Sequence, residues 1–297
     1  MKIAFIGLGR MGGPMAGHLA AAGHNVTVVE PNLDTLTRWC QRHEGVSAPS
    51  AGAAASDAEV VITSLPADAQ LQTVAEGPEG ILDNLPSGGV WVDHTTASVQ
   101  ISRTLARDAD ARDLGFIDGP VSGGVDGATR GTLAIMAGGT TTDVDRVRPL
   151  LECYAKRISH MGNVGTGQLT KMTNQICVVG IGQALAEGLN FAETAGLDLE
   201  KVVEVMLSGA SASWQMDNRW QAMANSDYEF GFATELMRKD IGLCLAEARR
   251  SGVGLPVTAL VDQFLSDVEA LGGKRWDWCS LMERQRGARR GESNVSD

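Results

Sequence analysis

The chain has 297 residues, of which 43% are hydrophobic, and carries a formal net charge of −11. Its length and apolar content suit two packed domains, while the acidic balance argues against nucleic acid or an anionic membrane as partner. Its five cysteines, Cys40, Cys153, Cys177, Cys244 and Cys279, are scattered without Cys-x-x-Cys spacing. That pattern argues against a disulfide framework or a metal site and fits a reducing cytoplasm.

The first predicted element is a short apolar strand through Ile3, Phe5 and Ile6, followed at once by Gly7-Leu8-Gly9-Arg10-Met11-Gly12. The glycines fall on the Gly-x-Gly-x-x-Gly spacing of a dinucleotide site. Gly7 suits a tight turn, Gly9 lets backbone approach a pyrophosphate, and Gly12 lets the next helix pack on the strand. That helix runs through Met15 and Leu19 to Gly23, with its N-terminal amides toward the phosphates. Arg10 and the glycines interrupt the apolar start, so no secretory leader is expected. A second strand, 26–30, ends in Glu30, 18 residues beyond Gly12. A carboxylate there can accept from a ribose diol and repels a 2′-phosphate, which favours NAD; Arg38, further on, keeps NADP open.

Further strands are predicted at 60–65, 90–92, 115–118 and 133–136, alternating with helical stretches. Such alternation predicts an α/β Rossmann domain, a mostly parallel doubly wound sheet, over residues 1–163. Leu65-Pro66, the Asp93–Thr96 stretch and Pro120-Val-Ser-Gly-Gly124 each follow a strand and are expected at the cofactor side. Within Asp118-Gly-Pro-Val-Ser122-Gly123-Gly124, the hydroxyl and glycine amides form either an anion-binding concavity or a plain turn.

Beyond Gly162 the pattern turns helical, predicting an all-α domain over 164–290. Its first helix, 165–195, is apolar on nearly every face from Ile176 to Leu189, as expected for burial in the domain or against a partner subunit. Thr173, Asn174, Gln175, Gln183, Glu187 and Asn190 argue against a membrane span. Helices are expected at 199–208, 213–224, 231–251, 256–271 and 277–286. A disordered tail is expected after Gly287, with Arg284, Arg286, Arg289 and Arg290 solvated. Gly167, Lys171, Asn174 and Gln175 share one face of the first helix, with the glycine expected to leave space. A lysine against an apolar helix is disfavoured in its charged form and could exchange a proton with a substrate hydroxyl; a solvated helix-start lysine is the plainer alternative.

Four motifs resemble the β-hydroxyacid dehydrogenases in order and spacing: Phe5-Ile-Gly-Leu-Gly-Arg-Met-Gly-Gly-Pro-Met-Ala16, Asp118-Gly-Pro-Val-Ser-Gly-Gly124, Gly167-Gln-Leu-Thr-Lys-Met-Thr-Asn174 and Lys239-Asp240. That family includes 3-hydroxyisobutyrate dehydrogenase and tartronate semialdehyde reductase. The resemblance implies Lys171 as catalytic acid and base, Asn174 as its orienting amide, and Ser122, Gly123 and Gly124 as the substrate-carboxylate loop. It implies Lys239 closing over nicotinamide and substrate, and Gly7 to Gly12, Glu30, Leu65, Pro66 and Thr96 on the cofactor. It also implies a homodimer or homotetramer.

The chain departs from that pattern at Gln175, where many members have asparagine, and in lacking a proline after Thr95-Thr96. Gln175 is therefore expected to touch substrate differently. Trp214 is either a wall of the substrate site or a core aromatic. The expected activity is hydride transfer between NAD and a small 3-hydroxy acid or its semialdehyde, with no metal. Alternatives are an NADPH-dependent glyoxylate/succinic semialdehyde or tartronate semialdehyde reductase, and a non-catalytic dinucleotide-binding scaffold. Imine reductases usually replace the lysine kept here.

Overall fold

The computed structural model describes residues 1–293, with side chains described through residue 287. It divides into two compact units, Met1–Lys171 and a second from Met172 onward. The first unit is built on β1 (Lys2–Ile6), β2 (Asn25–Val29), β3 (Val46–Ser47), β4 (Val60–Thr63), β5 (Val90–Asp93), β6 (Gly115–Asp118), β7 (Val121–Ser122), β8 (Leu133–Gly138) and β9 (Ala155–Gly162). Its helices are α1 (Gly12–Ala21), α2 (Leu33–Cys40), α3 (Ala51–Ala55), α4 (Asp68–Ala75), α5 (Ile81–Asn84), α6 (Val99–Asp110), α7 (Gly124–Arg130) and α8 (Thr141–Leu151).

The sheet order is β3-β2-β1-β4-β5-β6-β8-β7, with β9 also paired to β8. From β3 to β6 every pairing is parallel; β8 runs antiparallel to β6 and β7 and parallel to β9. The predicted α/β Rossmann class is thus the observed one. Successive side chains point to opposite faces of a strand, so β1 sends Ile3 and Phe5 into one core and Ala4 and Ile6 into the other. Both faces being covered explains why the strands read as continuous apolar runs rather than as alternation. Ser98 and Thr140 start α6 and α8 by accepting the Ile101 and Asp143 amides.

Three strands escape the sequence pattern. β3 and β7 have only two residues each, and β9 reads Ala-Lys-Arg-Ile-Ser-His-Met-Gly with mostly exposed or half-buried positions. An edge strand with water on one side needs no apolar run.

The long helix α9 (Thr166–Thr194) begins in the first unit and ends in the second. The second unit continues with α10 (Leu199–Leu207), α11 (Trp214–Asn225), α12 (Thr234–Ser251), α13 (Pro256–Ala270) and α14 (Leu281–Ser293). Val179, Leu189, Met237, Ile241, Leu265 and Trp278 anchor its core. A methyl at Gly182 would collide with the Trp278 ring, so this glycine lets the indole lie against α9. The helix is not buried all round. Cys177, Ile181, Ala184 and Phe191, spaced four, three and seven apart, form an exposed stripe, with Phe191 73% exposed.

Two expectations for the C-terminus are corrected. Helix α14 runs on to Ser293, past the expected start of the tail, and only the last four residues lie outside those described. Arg286 is not solvated: 9% exposed, it pairs with Glu193 at 2.6 Å, while the half-buried Arg284 pairs with Asp267 at 2.7 Å at the surface. The Arg289 and Arg290 side chains lie outside the described ones. Among the described residues no helix is long and apolar enough to cross a membrane.

Candidate active site

The loop from β1 to α1 is shaped by its glycines. Gly7 has φ +96°, and its amide donates to the Val29 carbonyl at 2.9 Å, tying the turn to β2. A methyl at Gly12 would strike the Gly7 carbonyl, whereas one at Gly9 would meet nothing within 4 Å. The first pins α1 to the turn; the second leaves open space over the start of the helix. Met11 provides no side-chain cap and the first turn of α1 carries no acid. Backbone N–H groups at such a helix start favour an anion. These residues therefore fit a pyrophosphate. Leu8 is buried and Arg10 exposed.

Glu30 follows β2, and both its oxygens are held by backbone. Oε2 accepts from Leu8 N–H at 2.8 Å and Oε1 from Asn32 N–H at 3.0 Å. The carboxylate is thereby fixed beside the glycine turn. Arg38, in contrast, spends its guanidinium on the Asp34 carbonyl and Thr35 hydroxyl within α2.

A polar row crosses the carboxyl ends of the central strands, where Thr63, Asp93 and Asp118 are successive register partners. All three are fully buried. The Thr63 hydroxyl accepts from Trp91 Nε1 at 3.0 Å and donates to Asp93 Oδ1 at 2.7 Å. Thr95 N–H donates to the same Asp93 oxygen, and the Thr95 hydroxyl accepts from Leu65 N–H at 3.1 Å. One chain of bonds thus sets the turns after β4 and β5, which hold the predicted cofactor residues Leu65, Pro66 and Thr96. Burial pushes the Asp93 carboxyl up to about 6 and that of Asp118 up to about 7.

His94 lies in the same turn. Its Nδ1 is 2.5 Å from the Gly119 carbonyl and its Nε2 is 2.8 Å from the Tyr154 hydroxyl. A carbonyl only accepts, so Nδ1 carries the proton and Nε2 accepts from tyrosine. Burial pushes the imidazole down to about 4. Past Gly119, Ser122 ends β7 and Gly123 and Gly124, with φ of +128° and +62°, turn the chain into α7; both glycines are exposed.

Lys171 is 9% exposed, five residues after the start of α9. It is buried, not a solvated helix-start lysine. Gly167 does not leave space beside it: a methyl there would strike the carbonyls of Asp118 and Met136, so the missing side chain is what lets α9 lie against β6 and β8.

In the helical unit the predicted residues form a second chain. Asn174 Nδ2 donates to Gln175 Oε1 at 2.8 Å, Gln175 Nε2 donates to Asp240 Oδ2 at 2.7 Å, and Lys239 Nζ lies 3.0 Å from Asp240 Oδ1. Gln175 thus spends both ends of its amide on protein groups. Trp214 opens α11 at 57% exposure, with the Arg219 guanidinium 4.8 Å from its ring centre. Asp93, His94, Asp118, Gln168 and Asp240 were not singled out from the sequence. Asp118, Gln168 and Asp240 lie inside the family-like motifs, and Asp93 and His94 inside the stretch expected at the cofactor side, but their individual roles depend on partners too distant in sequence to leave a spacing signal.

Known proteins resemble this chain along nearly its whole length. Residues 2–162 match the NAD binding domain of 6-phosphogluconate dehydrogenase, and residues 165–284 match the NAD-binding domain of NADP-dependent 3-hydroxyisobutyrate dehydrogenase. An uncharacterized oxidoreductase of Shewanella frigidimarina is 48% identical over 95% of this chain and 97% of its own length. The 3-hydroxyisobutyrate dehydrogenase of Pseudomonas aeruginosa is 35% identical over 96% of this chain and 98% of its own. The solved structure of Mycobacterium tuberculosis 3-hydroxyisobutyrate dehydrogenase with L-serine superposes with a TM-score of 0.86 at 30% identity, covering 96% of this chain and 98% of that one.

Proposed function

This chain belongs to the β-hydroxyacid dehydrogenases, oxidoreductases whose cofactor is a nicotinamide dinucleotide, and from that premise we propose that it interconverts a small 3-hydroxy acid and its semialdehyde with Lys171 as general acid and base. The observation that carries the reading is the burial of Lys171 on a helix packed backbone-to-backbone against the end of the sheet. A lysine kept from water at such a place has a reason other than solubility.

In the oxidative direction the substrate hydroxyl gives its proton to Lys171 Nζ, and the bond electrons left on oxygen form the carbonyl as the carbinol hydrogen departs with its pair. A nicotinamide dinucleotide held by the Gly7–Gly12 turn and Glu30 would supply the acceptor for that hydride. In reduction Lys171 returns the proton to the forming alkoxide. Asn174, one turn further along the helix and held by Gln175, orients the amine. Ser122, Gly123 and Gly124 hold the substrate carboxylate through a hydroxyl and backbone amides. Lys239, tethered by Asp240, covers cofactor and substrate, and Trp214 borders the substrate. Positioning of this kind can supply much of a rate enhancement.

Glu30 supports NAD over NADP, because its fixed carboxylate can still accept ribose hydroxyls but repels a 2′-phosphate. The residue ranges 1–163 and 164–290 serve as the cofactor and substrate domains. The exposed α9 stripe supports a homodimer or homotetramer, and the free thiols fit a cytoplasmic setting. 3-Hydroxyisobutyrate and L-serine are the first substrates to assay, since such acids differ by groups worth only about 1–3 kcal/mol in a binding site.

The decisive experiment is Lys171→Ala with initial rates across a panel of hydroxy acids and semialdehydes, using NAD and NADP in turn. Turnover is expected to fall at least about a thousandfold with cofactor affinity kept. Near-normal rates would refute the acid–base role. A wild-type protein that binds cofactor yet turns over nothing in the panel would point to the scaffold reading instead.

A further inference from the structure

The first turn of α9 is not held only by its own backbone. Gly165 N–H donates to Asp118 Oδ1 at 2.7 Å, and Gln168 N–H donates to Asp118 Oδ2 at 2.8 Å. Each carboxylate oxygen thus takes one of the amides that a helix start leaves without an internal acceptor. The Gln168 side chain, itself fully buried, makes a second attachment: Nε2 donates to the Thr95 carbonyl at 2.7 Å, and Oε1 accepts from Ala97 N–H at 3.1 Å. Two glycines make the fit close, since a methyl at Gly138 would strike Asp118 Oδ1 and one at Gly167 would strike two carbonyls.

Lys171 lies three residues beyond Gln168, on the neighbouring position of the same helical face. Any slide or rotation of this turn moves the lysine with it. Asp118 also closes β6, one residue before the Gly119 carbonyl that His94 grips. The turn carrying Thr96, the strand leading to Ser122 and the helix carrying Lys171 therefore share one pair of side chains as their common fastening.

We propose that Asp118 and Gln168 are positioning residues for Lys171, fixing the register of α9 against β6 and the turn after β5 so that the amine is placed for proton transfer. The proposal rests on the reading of Lys171 as acid and base. A merely structural role for the pair would change stability without changing turnover through the lysine. Asp118→Asn is a sharp probe, because an amide offers one acceptor and sets a donor against one of two N–H groups that need acceptors.

The test is a double-mutant cycle on the full chain with NAD and 3-hydroxyisobutyrate, paired with hydrogen exchange on the cofactor-free protein. D118N is expected to lower kcat about 30- to 100-fold with less than a threefold change in NAD affinity, since small displacements of a reacting group cost that much. In the K171A background D118N should change kcat less than threefold. Amides 165–171 should exchange at least tenfold faster in D118N while β1 and β4 stay protected. If D118N does not fold, Gln168→Met carries the same cycle without altering charge.

Equal losses from D118N with and without Lys171, or unchanged exchange at 165–171, would overturn the proposal while leaving the proton-transfer assignment standing. Near-normal turnover by K171A alone would overturn that assignment, and the positioning role with it.

Discussion

The two ends of the sheet treat charge in opposite ways. At the amino ends of the strands, Lys2 pairs with Asp57 at 2.7 Å with side chains 53% and 82% exposed, and Glu59 accepts the Lys2 amide. At the carboxyl ends, Asp93 and Asp118 are fully buried and accept from a hydroxyl and backbone amides. Water can serve the first set. The second depends on the fold for every hydrogen bond, so the same residue type is dispensable at one end and demanding at the other.

The comparison breaks hardest at Gly167. Gly167→Val forces side-chain atoms into the carbonyls of Asp118 and Met136, and thermal or urea unfolding should show a loss of more than about 3 kcal/mol. A loss below about 1 kcal/mol would mean that α9 can lift off the sheet.

The pH dependence of stability is the next largest effect. Asp93 is raised on folding, so its contribution is present below about 3.8 and fades as pH climbs to about 6. His94 is lowered, so its contribution is present above 6.5 and fades as pH falls to about 4. The two oppose each other over one interval. Asp118, raised to about 7, likewise loses its contribution over this interval in parent and variant alike. Asp93→Asn removes one of these two acids and leaves His94, so between pH 4 and 6 the stability of the variant should gain on that of the parent by about 3 kcal/mol in all, at about 1.4 kcal/mol per pH unit. Parallel curves would sink the assignment.

Smaller still is Tyr154→Phe, which leaves His94 Nε2 buried without its donor and should cost about 2 kcal/mol. At the opposite end of the sheet, Asp57→Asn should change stability by less than about 0.5 kcal/mol, and less again in high salt. Should this last variant rival Tyr154→Phe in chemical unfolding, the contrast between the ends would not hold.

Much of the architecture could be read before any coordinates. The glycine spacing and the acid after β2 carry the nucleotide half, and the change from strand-like to helical pattern marks where the sheet gives way to α9. What stayed hidden were contacts between distant residues. Asp118 meets Gly165 and Gln168 across 47 and 50 positions, and the Gln168 side chain reaches back more than 70 to the turn after β5. Nothing periodic records such pairs. Gly167 was legible as a glycine and misread as leaving space, because sequence shows that a side chain is missing but not which neighbour occupies its place. The β9 strand went unseen because its outward residues are polar, and Arg286 looked like tail because its partner Glu193 lies 93 positions earlier.

The grip of Asp118 on residues 165 and 168 bears on where this polypeptide can be cut. A nucleotide-binding fragment stopped at residue 163 would keep the whole sheet yet strip both donors from an acid sealed inside it. Extending the fragment through Lys171 returns those amides, together with the Gln168 brace, at the cost of eight more residues. Anyone dividing the gene to study nucleotide binding alone, or to splice this half onto another catalyst, should place the seam inside the long helix rather than ahead of it.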